Sequence, residues 1–285
     1  MKKVWIIISC VAVGVIGLII LLSFTLFSLK NVSVDFRTSK SNIVLSDEQI
    51  IESAGFSYGS SVFFHGKKDY AKNIENADPY IKVINIETVF PSSFIIHISE
   101  RQEIFAIEKD GEYLICDDEF KVLKKESEFT SSQNNSILLS GIVIKNETVE
   151  IGDFLDVENF VNVFSILYGF NYPLGQQEAL IKQINFKDIY DETLKENQLS
   201  FELKMFNGQT YLIKNCNYGL TAKMKLFTEV YSQIFTYIGK EINGGHVLTE
   251  EDLKTCTVEI NNYYDFTSHN ENDCYFNLIL SNENI

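Results

Sequence analysis

Basic residues are scarce in this sequence. Its 285 residues include 24 Lys and Arg against 39 Asp and Glu, a formal net charge of −15, and arginine occurs only at positions 37 and 101. Proteins bind the phosphates of nucleic acids through clustered Lys and Arg. The charge therefore argues against a nucleic-acid partner.

Motifs that hold metals or cofactors are also missing. No cysteine belongs to a CxxC pair or has a histidine at metal-ligand spacing, and neither GxSxG nor HExxH occurs. The acidic clusters Asp117–Glu119 and Glu250–Asp252 are typical of a turn and of a helix N-terminus. We therefore expect neither a metal nor a cofactor. Disulfide pairing stays open for the four later cysteines, which are Cys116, Cys216, Cys256 and Cys274.

The best candidate for a catalytic nucleophile is Cys256. Leu253–Cys256 resembles the strand end that carries the nucleophile of sortases. Such an enzyme needs a histidine base and a cation for the oxyanion. Sortases place the histidine far upstream and an arginine downstream, whereas both arginines here precede Cys256 and His246 lies close to it. We therefore favour a structural cysteine; a membrane-anchored cell-wall enzyme with a Cys256 nucleophile is the alternative function.

A long uncharged run lies near the N-terminus. Val4–Leu29 contains no charged residue, and as a helix it would measure roughly 39 Å, enough to cross a hydrocarbon core of ~30 Å. Lys2 and Lys3 precede it, and an acidic excess follows. The positive-inside rule predicts a cytoplasmic tail at residues 1–3, a transmembrane signal anchor at 4–29 and an extracytoplasmic remainder. A cleaved signal peptide and lipidation at Cys10 are the less favoured alternatives.

Residues 30–101 predict a small α+β domain of order β-α-α-β-β. The predicted elements are a strand at Asn31–Phe36, a helix that Ser46 caps and that ends before Gly55, a helix near Lys67–Ala77, and a hairpin of Tyr80–Phe90 with Phe94–Arg101. One face of the hairpin should be buried, formed by Ile84, Ile86, Phe90, Phe94, Ile96 and Ile98. His97 falls on the opposite, polar face and is expected at the surface.

Residues 102–262 predict a larger β-rich domain with flanking helices. Strands are expected at Ile104–Glu108, Tyr113–Cys116, Lys121–Lys124, Ile181–Phe186, Leu199–Phe206, Thr210–Lys214 and Cys256–Asn261, and helices at Val157–Tyr168 and Tyr218–Ile238. Asn207-Gly208 is typical of a type I′ turn. Residues 263–285 predict an acidic tail, in which Cys274–Leu280 is apolar enough to fold back or to bind a partner.

The hairpin resembles that of the bacterial cell-division family FtsQ/DivIB. Pro79–Ile84 followed by Phe90–Arg101 is similar to the pattern Pro-x-Val…Trp-Pro-x-x-Leu-x-Ile-x-Val-x-Glu-Arg, with which the polypeptide-transport-associated (POTRA) domain of that family ends. Phe90 stands for the bulky aromatic residue and Phe94 for the leucine, while Glu100 and Arg101 match as written. The order of anchor, POTRA domain and β-rich domain is also similar over residues 1–261.

The resemblance implies a non-enzymatic, bitopic scaffold of the division septum. Such proteins bind FtsL-like and DivIC/FtsB-like bitopic partners and connect them to the septal FtsW/penicillin-binding transpeptidase complex. An unpaired sheet edge at the last strand would accept a partner's strand. The candidate partner-binding residues are Val258, Ile260, Tyr263, Tyr264 and Phe266. The alternative is that these residues close the protein's own sheet, and the strand at 32–36 is a second candidate surface.

Overall fold

The computed structural model describes residues 2–63, 66–130, 136–158, 163, 166, 180–242, 245–262 and 274–280. The chain divides into two compact units, unit 1 at Met1–Arg101 and unit 2 at Gln102–Ile285. Both units mix helices with strands, as the α+β prediction requires.

The first helix, α1, spans Lys2–Thr25. Only some of its side chains belong to the described part of the structure. Among the described residues, no helix combines the length and the apolar character that crossing a membrane requires. The membrane anchor at residues 4–29 stays a prediction.

The remainder of unit 1 is a three-stranded sheet packed against two helices. Its elements are β1 (Asn31–Phe36), α2 (Asp47–Ala54), α3 (Lys67–Ala77), β2 (Ile81–Val89) and β3 (Ser93–Glu100). The strand order is β1-β3-β2, with β1 parallel and β2 antiparallel to β3. The predicted order β-α-α-β-β is confirmed.

The ends of α2 follow from local sequence. The hydroxyl of Ser46 accepts a hydrogen bond from the Gln49 amide at 3.3 Å, and the Gln49 side chain accepts one from the Ser46 amide at 2.8 Å. Gly55 ends the helix with φ of 72°, a left-handed conformation that glycine adopts without a steric cost. Both predicted helix ends are confirmed.

The buried face of the hairpin differs from the prediction in β2. Phe94, Ile96 and Ile98 are fully buried, as predicted, but Ile84 is 55% and Phe90 60% exposed. A bulge between Val83 and Asn85 shifts the alternation of the strand. Because of the extra residue, Ile81 and Ile86 point to the core and Ile84 to solvent.

Unit 2 is built on a mixed sheet. Nine strands of the described residues form it: Phe105–Lys109 (β4), Glu112–Cys116 (β5), Val122–Glu126 (β6), Ile137–Ser140 (β7), Ile181–Asp191 (β8), Glu196–Met205 (β9), Thr210–Ile213 (β10), Thr257–Asn262 (β13) and Cys274–Ile279 (β14). The order is β14-β13-β10-β9-β8-β7-β4-β5-β6. Glu241–Ile242 (β11) and His246–Val247 (β12) form a separate antiparallel pair.

Helix α4 (Leu220–Gln233) covers one face of this sheet and continues into a 3₁₀-helix, Ile234–Tyr237. Its predicted apolar face is confirmed, because Met224, Phe227, Val230 and Ile234 are buried in the core. A short helix, α5 (Glu250–Thr255), precedes β13. The helix predicted at Val157–Tyr168 lies largely outside the described residues.

In unit 2 the structure selects one of the two alternatives for the C-terminal segment and corrects one turn prediction. Residues 263–285 are not all tail, because Cys274–Ile279 pairs with β13 along its whole length. Phe276 and Leu278 give this strand an apolar face that packs against the core. The turn at Asn207-Gly208 is not type I′, since Gly208 has a φ of 94° but Asn207 is not among the residues of positive φ.

Candidate functional site

The predicted partner-binding residues Val258 and Ile260 lie inside the sheet. Both are fully buried, and β13 pairs with β10 on one side and with β14 on the other. They support the protein's own sheet, and a partner strand would reach them only by replacing β14. Tyr263, Tyr264 and Phe266 lie outside the described residues.

The edge strand on this side of the sheet is β14. Among the described residues no further strand pairs with its outer side. Phe276 packs edge-on against Tyr237, with ring centroids 6.0 Å apart, which attaches the strand to the 3₁₀-helix. Ile279 is 42% exposed on the other face. Because an unpaired edge offers a row of amide and carbonyl groups, β14 is suited to pair with another chain.

The opposite edge, at β6, is covered by the protein itself. The Val122 amide donates to the Asp153 carbonyl, and the Gly152 amide donates to the Val122 carbonyl, both at 2.8 Å. The ammonium group of Lys125 also donates to the Val149 carbonyl at 2.6 Å. Gly152 and Asp153 therefore occupy the backbone groups of Val122, which another strand would need for pairing. The two edges of the sheet differ in accessibility.

A polar cleft of about 280 Å³ adjoins β14 in unit 2. It is lined by residues of β8, β9, β13 and β14, by the turn between β8 and β9, and by Lys214 and Asn215, which follow β10. Tyr275 of the edge strand is one of the lining residues. Lys214 and Glu259 form an ion pair at 2.8 Å in its wall. The lining donates and accepts hydrogen bonds, so the cleft can hold a polar or charged side chain next to the edge.

Lys223 of α4 fixes the end of β10 beside this cleft. The side chain is fully buried, and its ammonium group donates to the carbonyl oxygens of Lys214 at 2.7 Å and of Asn215 at 2.5 Å. Burial lowers the pKa of Lys223 to about 8. The apolar spacing of α4 did not predict a buried lysine, and only its position beside Met224 on the inner face hints at it.

Cys256 lacks the surroundings of a nucleophile. It is fully buried, its thiol donates to the Leu253 carbonyl at 3.5 Å, and burial raises its pKa to about 11. A reactive cysteine needs the opposite shift, toward the thiolate. Within the described residues no disulfide joins the later cysteines, which are Cys116, Cys216, Cys256 and Cys274. Among the described residues no cluster of three or more His, Cys, Asp or Glu side chains could hold a metal.

His97 in unit 1 joins the three strands of its sheet, and the prediction of a surface residue is wrong. It is only 8% exposed, with Nδ1 2.8 Å from Asp35 of β1 and Nε2 2.9 Å from Glu87 of β2. Arg37 also lies within 2.8 Å of Nδ1. The hydrogen bonds to Glu87 and then to Asp35 raise the pKa of His97.

Comparisons with known proteins find similarity to cell-division proteins. Residues 27–101 match the family model described as "POTRA domain, FtsQ-type". The cell division protein DivIB of Clostridium botulinum strain Hall is 25% identical over 172 residues, which cover 51% of this chain and 67% of that protein.

Two further relatives are similar. The DivIB protein of Clostridium acetobutylicum is 29% identical over 120 residues, covering 42% of this chain and 45% of that protein. The DivIB protein of Clostridium tetani is 28% identical over 172 residues, covering 51% of this chain and 64% of that protein. The matched region thus spans less than two thirds of these last two relatives.

Proposed function

Because this chain belongs to the FtsQ/DivIB family of bacterial cell-division proteins, we propose that it is a bitopic membrane scaffold of the division septum. In this proposal α1 anchors the protein in the cell membrane with the N-terminus in the cytoplasm. Residues 30–285 lie outside the cytoplasm, bind FtsL-like and DivIC/FtsB-like partners, and help to recruit or regulate the septal FtsW/penicillin-binding transpeptidase complex.

The observation that carries the proposal is the FtsQ-type match of residues 27–101, which begins at the end of the uncharged run Val4–Leu29. The accessible edge at β14 supports a binding role, because strand addition needs an unpaired edge with side-chain pockets beside it. The cleft next to Tyr275 supplies such a pocket. The predicted partner-binding residues Tyr263, Tyr264 and Phe266 precede this edge in the chain.

Partner binding at β14 can be tested by photo-crosslinking in cells. A crosslinking amino acid at Asn277 or Ile279, both exposed on β14, should capture a small bitopic protein. Glu108 is the matched control, because it is exposed on β4, an interior strand of the same sheet. Depletion of the protein should also block septation. Normal division without the protein, together with no crosslink at either β14 position, would contradict the proposal.

The burial of Cys256 argues against the alternative function, a cell-wall enzyme. A Cys256→Ser variant should support division at the level of the native chain, since serine keeps the size and the hydrogen bond of the thiol. A division defect in a Cys256→Ser protein that folds and accumulates normally would support the hypothesis of a cell-wall enzyme.

A further inference from the structure

Three phenylalanines from separate segments meet at one end of unit 1. Phe27 follows α1, Phe63 lies in the loop before α3, and Phe90 lies at the turn of the β2–β3 hairpin. Their ring centroids are 5.2 Å (Phe27–Phe63), 5.6 Å (Phe63–Phe90) and 6.2 Å (Phe27–Phe90) apart. We call these three residues the aromatic tip.

The aromatic tip is apolar and open to solvent. Phe63 is 53% and Phe90 60% exposed, and the neighbouring Leu26 is 48% exposed. Phe63 and Phe90 thus keep about half of their surface in water and, with the partly buried Phe27 packed against them, form a contiguous apolar patch. Such patches mark sites where a protein contacts another protein or a membrane.

Backbone hydrogen bonds tie the aromatic tip to the end of α1. The amides of Leu26 and Phe27 still donate to the Leu22 carbonyl, at 2.9 and 3.0 Å. The Phe27 carbonyl then accepts from the Val62 amide at 2.8 Å, and the Leu29 amide donates to Ser60 at 2.8 Å. The apolar helix therefore passes into unit 1 without a flexible linker, and the tip stays within one helical turn of its end.

The charge of unit 1 allows contact with an anionic surface. Residues 30–101 contain 8 basic and 9 acidic side chains, almost neutral in a chain of −15. Lys67 lies close to the hairpin turn, since its ammonium group donates to the Thr88 hydroxyl at 2.6 Å. Basic side chains beside an apolar patch favour anionic headgroups.

We propose that the aromatic tip inserts into the interfacial layer of the lipid bilayer at the point where α1 leaves it. The inference rests on the membrane anchor of the proposed function and adds a second, peripheral contact to it. Apolar rings gain free energy at the boundary between headgroups and acyl chains, and the hydrogen-bonded junction places them there without extra ordering of the chain. The tip would thereby hold unit 1 against the membrane surface.

Lipid quenching of tryptophan fluorescence tests the proposal on the full-length protein. Trp5 in α1 is the one native tryptophan, so the native chain reports on the anchor alone. Phe90→Trp and Phe63→Trp, each in a Trp5→Phe background, report on the tip. The proteins are reconstituted in phosphatidylglycerol–phosphatidylcholine vesicles with acyl chains brominated near the headgroup, and circular dichroism confirms their folding.

Val44→Trp in the same background is the matched control. Val44 is 87% exposed and lies at the other end of the sheet, where Asn42 donates to Glu100 and the Val44 amide donates to Asp78. The eight residues of β3 place it roughly 25 Å from the hairpin turn. We expect brominated lipid to lower the tip emission by at least about twofold relative to this control.

The outcomes separate the docking from the anchor. Quenching of Trp5 together with a tip tryptophan, but not of the Val44→Trp control, supports the proposal. Quenching of Trp5 without quenching of either tip tryptophan overturns the insertion of the aromatic tip but not the membrane anchor. A protein partner would then explain the exposed rings. Absence of Trp5 quenching overturns the anchor itself.

Discussion

The two units of this protein differ most in charge. Residues 30–101 carry 8 basic and 9 acidic side chains, whereas residues 102–285 carry 14 and 30. The acidic excess therefore belongs almost entirely to unit 2. A strongly acidic surface is repelled by anionic headgroups and a neutral one is not. The difference is consistent with the two proposals above, lipid contact for unit 1 and partner binding for unit 2.

The units also bury a basic side chain in different ways. His97 of unit 1 lies between two carboxylates, and its pKa is raised. The ammonium group of Lys223 in unit 2 donates to the carbonyl oxygens of Lys214 and Asn215, and burial lowers its pKa. A charged partner favours the protonated form, whereas burial disfavours it. The stabilities of the two units should therefore respond to pH in opposite directions.

The largest expected effect is the loss of the core ring in unit 2. Phe227 is fully buried and its ring centroid lies 4.8 Å from that of Tyr211. Phe227→Ala should lower the free energy of unfolding by about 3–5 kcal/mol, because the removed ring leaves a cavity. Denaturant unfolding measures the loss, and hydrogen exchange should locate it in α4 and β10. Phe235→Ala, at a position 46% exposed, is the control and should cost far less.

The second effect concerns Lys223 and pH. With a pKa of about 8 in the folded state and 10.5 as its ordinary value, the unfolded chain binds more protons between these values. Stability should therefore rise as the pH increases from about 8 to about 10.5, by roughly 3 kcal/mol. Lys223→Met should remove this rise and also weaken the fold, because two carbonyl groups lose their donor. Lys225→Met, exposed on the same helix, should keep the rise.

The third comparison is between the N-terminal caps of one helix in each unit. Ser46 and Gln49 cap α2 in unit 1, and Thr249 and Asp252 cap α5 in unit 2. Replacing either hydroxyl residue by Ala should cost about 1 kcal/mol in thermal unfolding.

Acid should distinguish the two caps. Hydrogen bonds from the Thr249 hydroxyl and amide, with His246, lower the pKa of Asp252 to about 2. Its contribution is present above pH 3.8 and should be lost as the pH falls toward 2, whereas the neutral Gln49 keeps its bond. Equal acid sensitivity of hydrogen exchange in α2 and α5 would contradict this.

The smallest expected effect is the pH dependence of unit 1, since Asp35 and Glu87 are half-exposed and solvent screens them. A raised pKa in the folded state means that the contribution of His97 is complete below about pH 6.5 and is lost as the pH rises through the folded value. A titration of the His97 ring by NMR should show the raised pKa. Glu87→Gln should lower it, and His246→Gln should leave it unchanged.

Local signals in the sequence predicted much of unit 1. The hydroxyl at Ser46, the glycine at Gly55 and the alternation through Ile98 act within a few residues, so they predict helix ends and a strand face without knowledge of the fold. The bulge between Val83 and Asn85 inserts one extra residue, Ile84, into β2 and so shifts its alternation. No local pattern marks it, and the prediction for Ile84 was wrong for that reason.

The features around the candidate site depend on contacts distant in sequence. His97 meets Asp35 across 62 positions, so its pattern on β3 indicated only a polar face. The sequence indicates β14 only as an apolar segment. Whether this segment pairs with β13 or with another protein depends on which of the two contacts is more stable, and the sequence of the segment alone does not determine that. Partner binding at Tyr263, Tyr264 and Phe266 stays a prediction.

The burial of Leu29 has a geometric consequence. Its side chain belongs to the core of unit 1, and its amide and carbonyl are held by Ser60 and Gly59. When α1 rotates about its own axis, the rest of unit 1 therefore rotates with it through the same angle. If another helix packs against one face of α1 in the bilayer, the position of that face also determines the direction, around the axis of α1, in which the outer edge of β1 points.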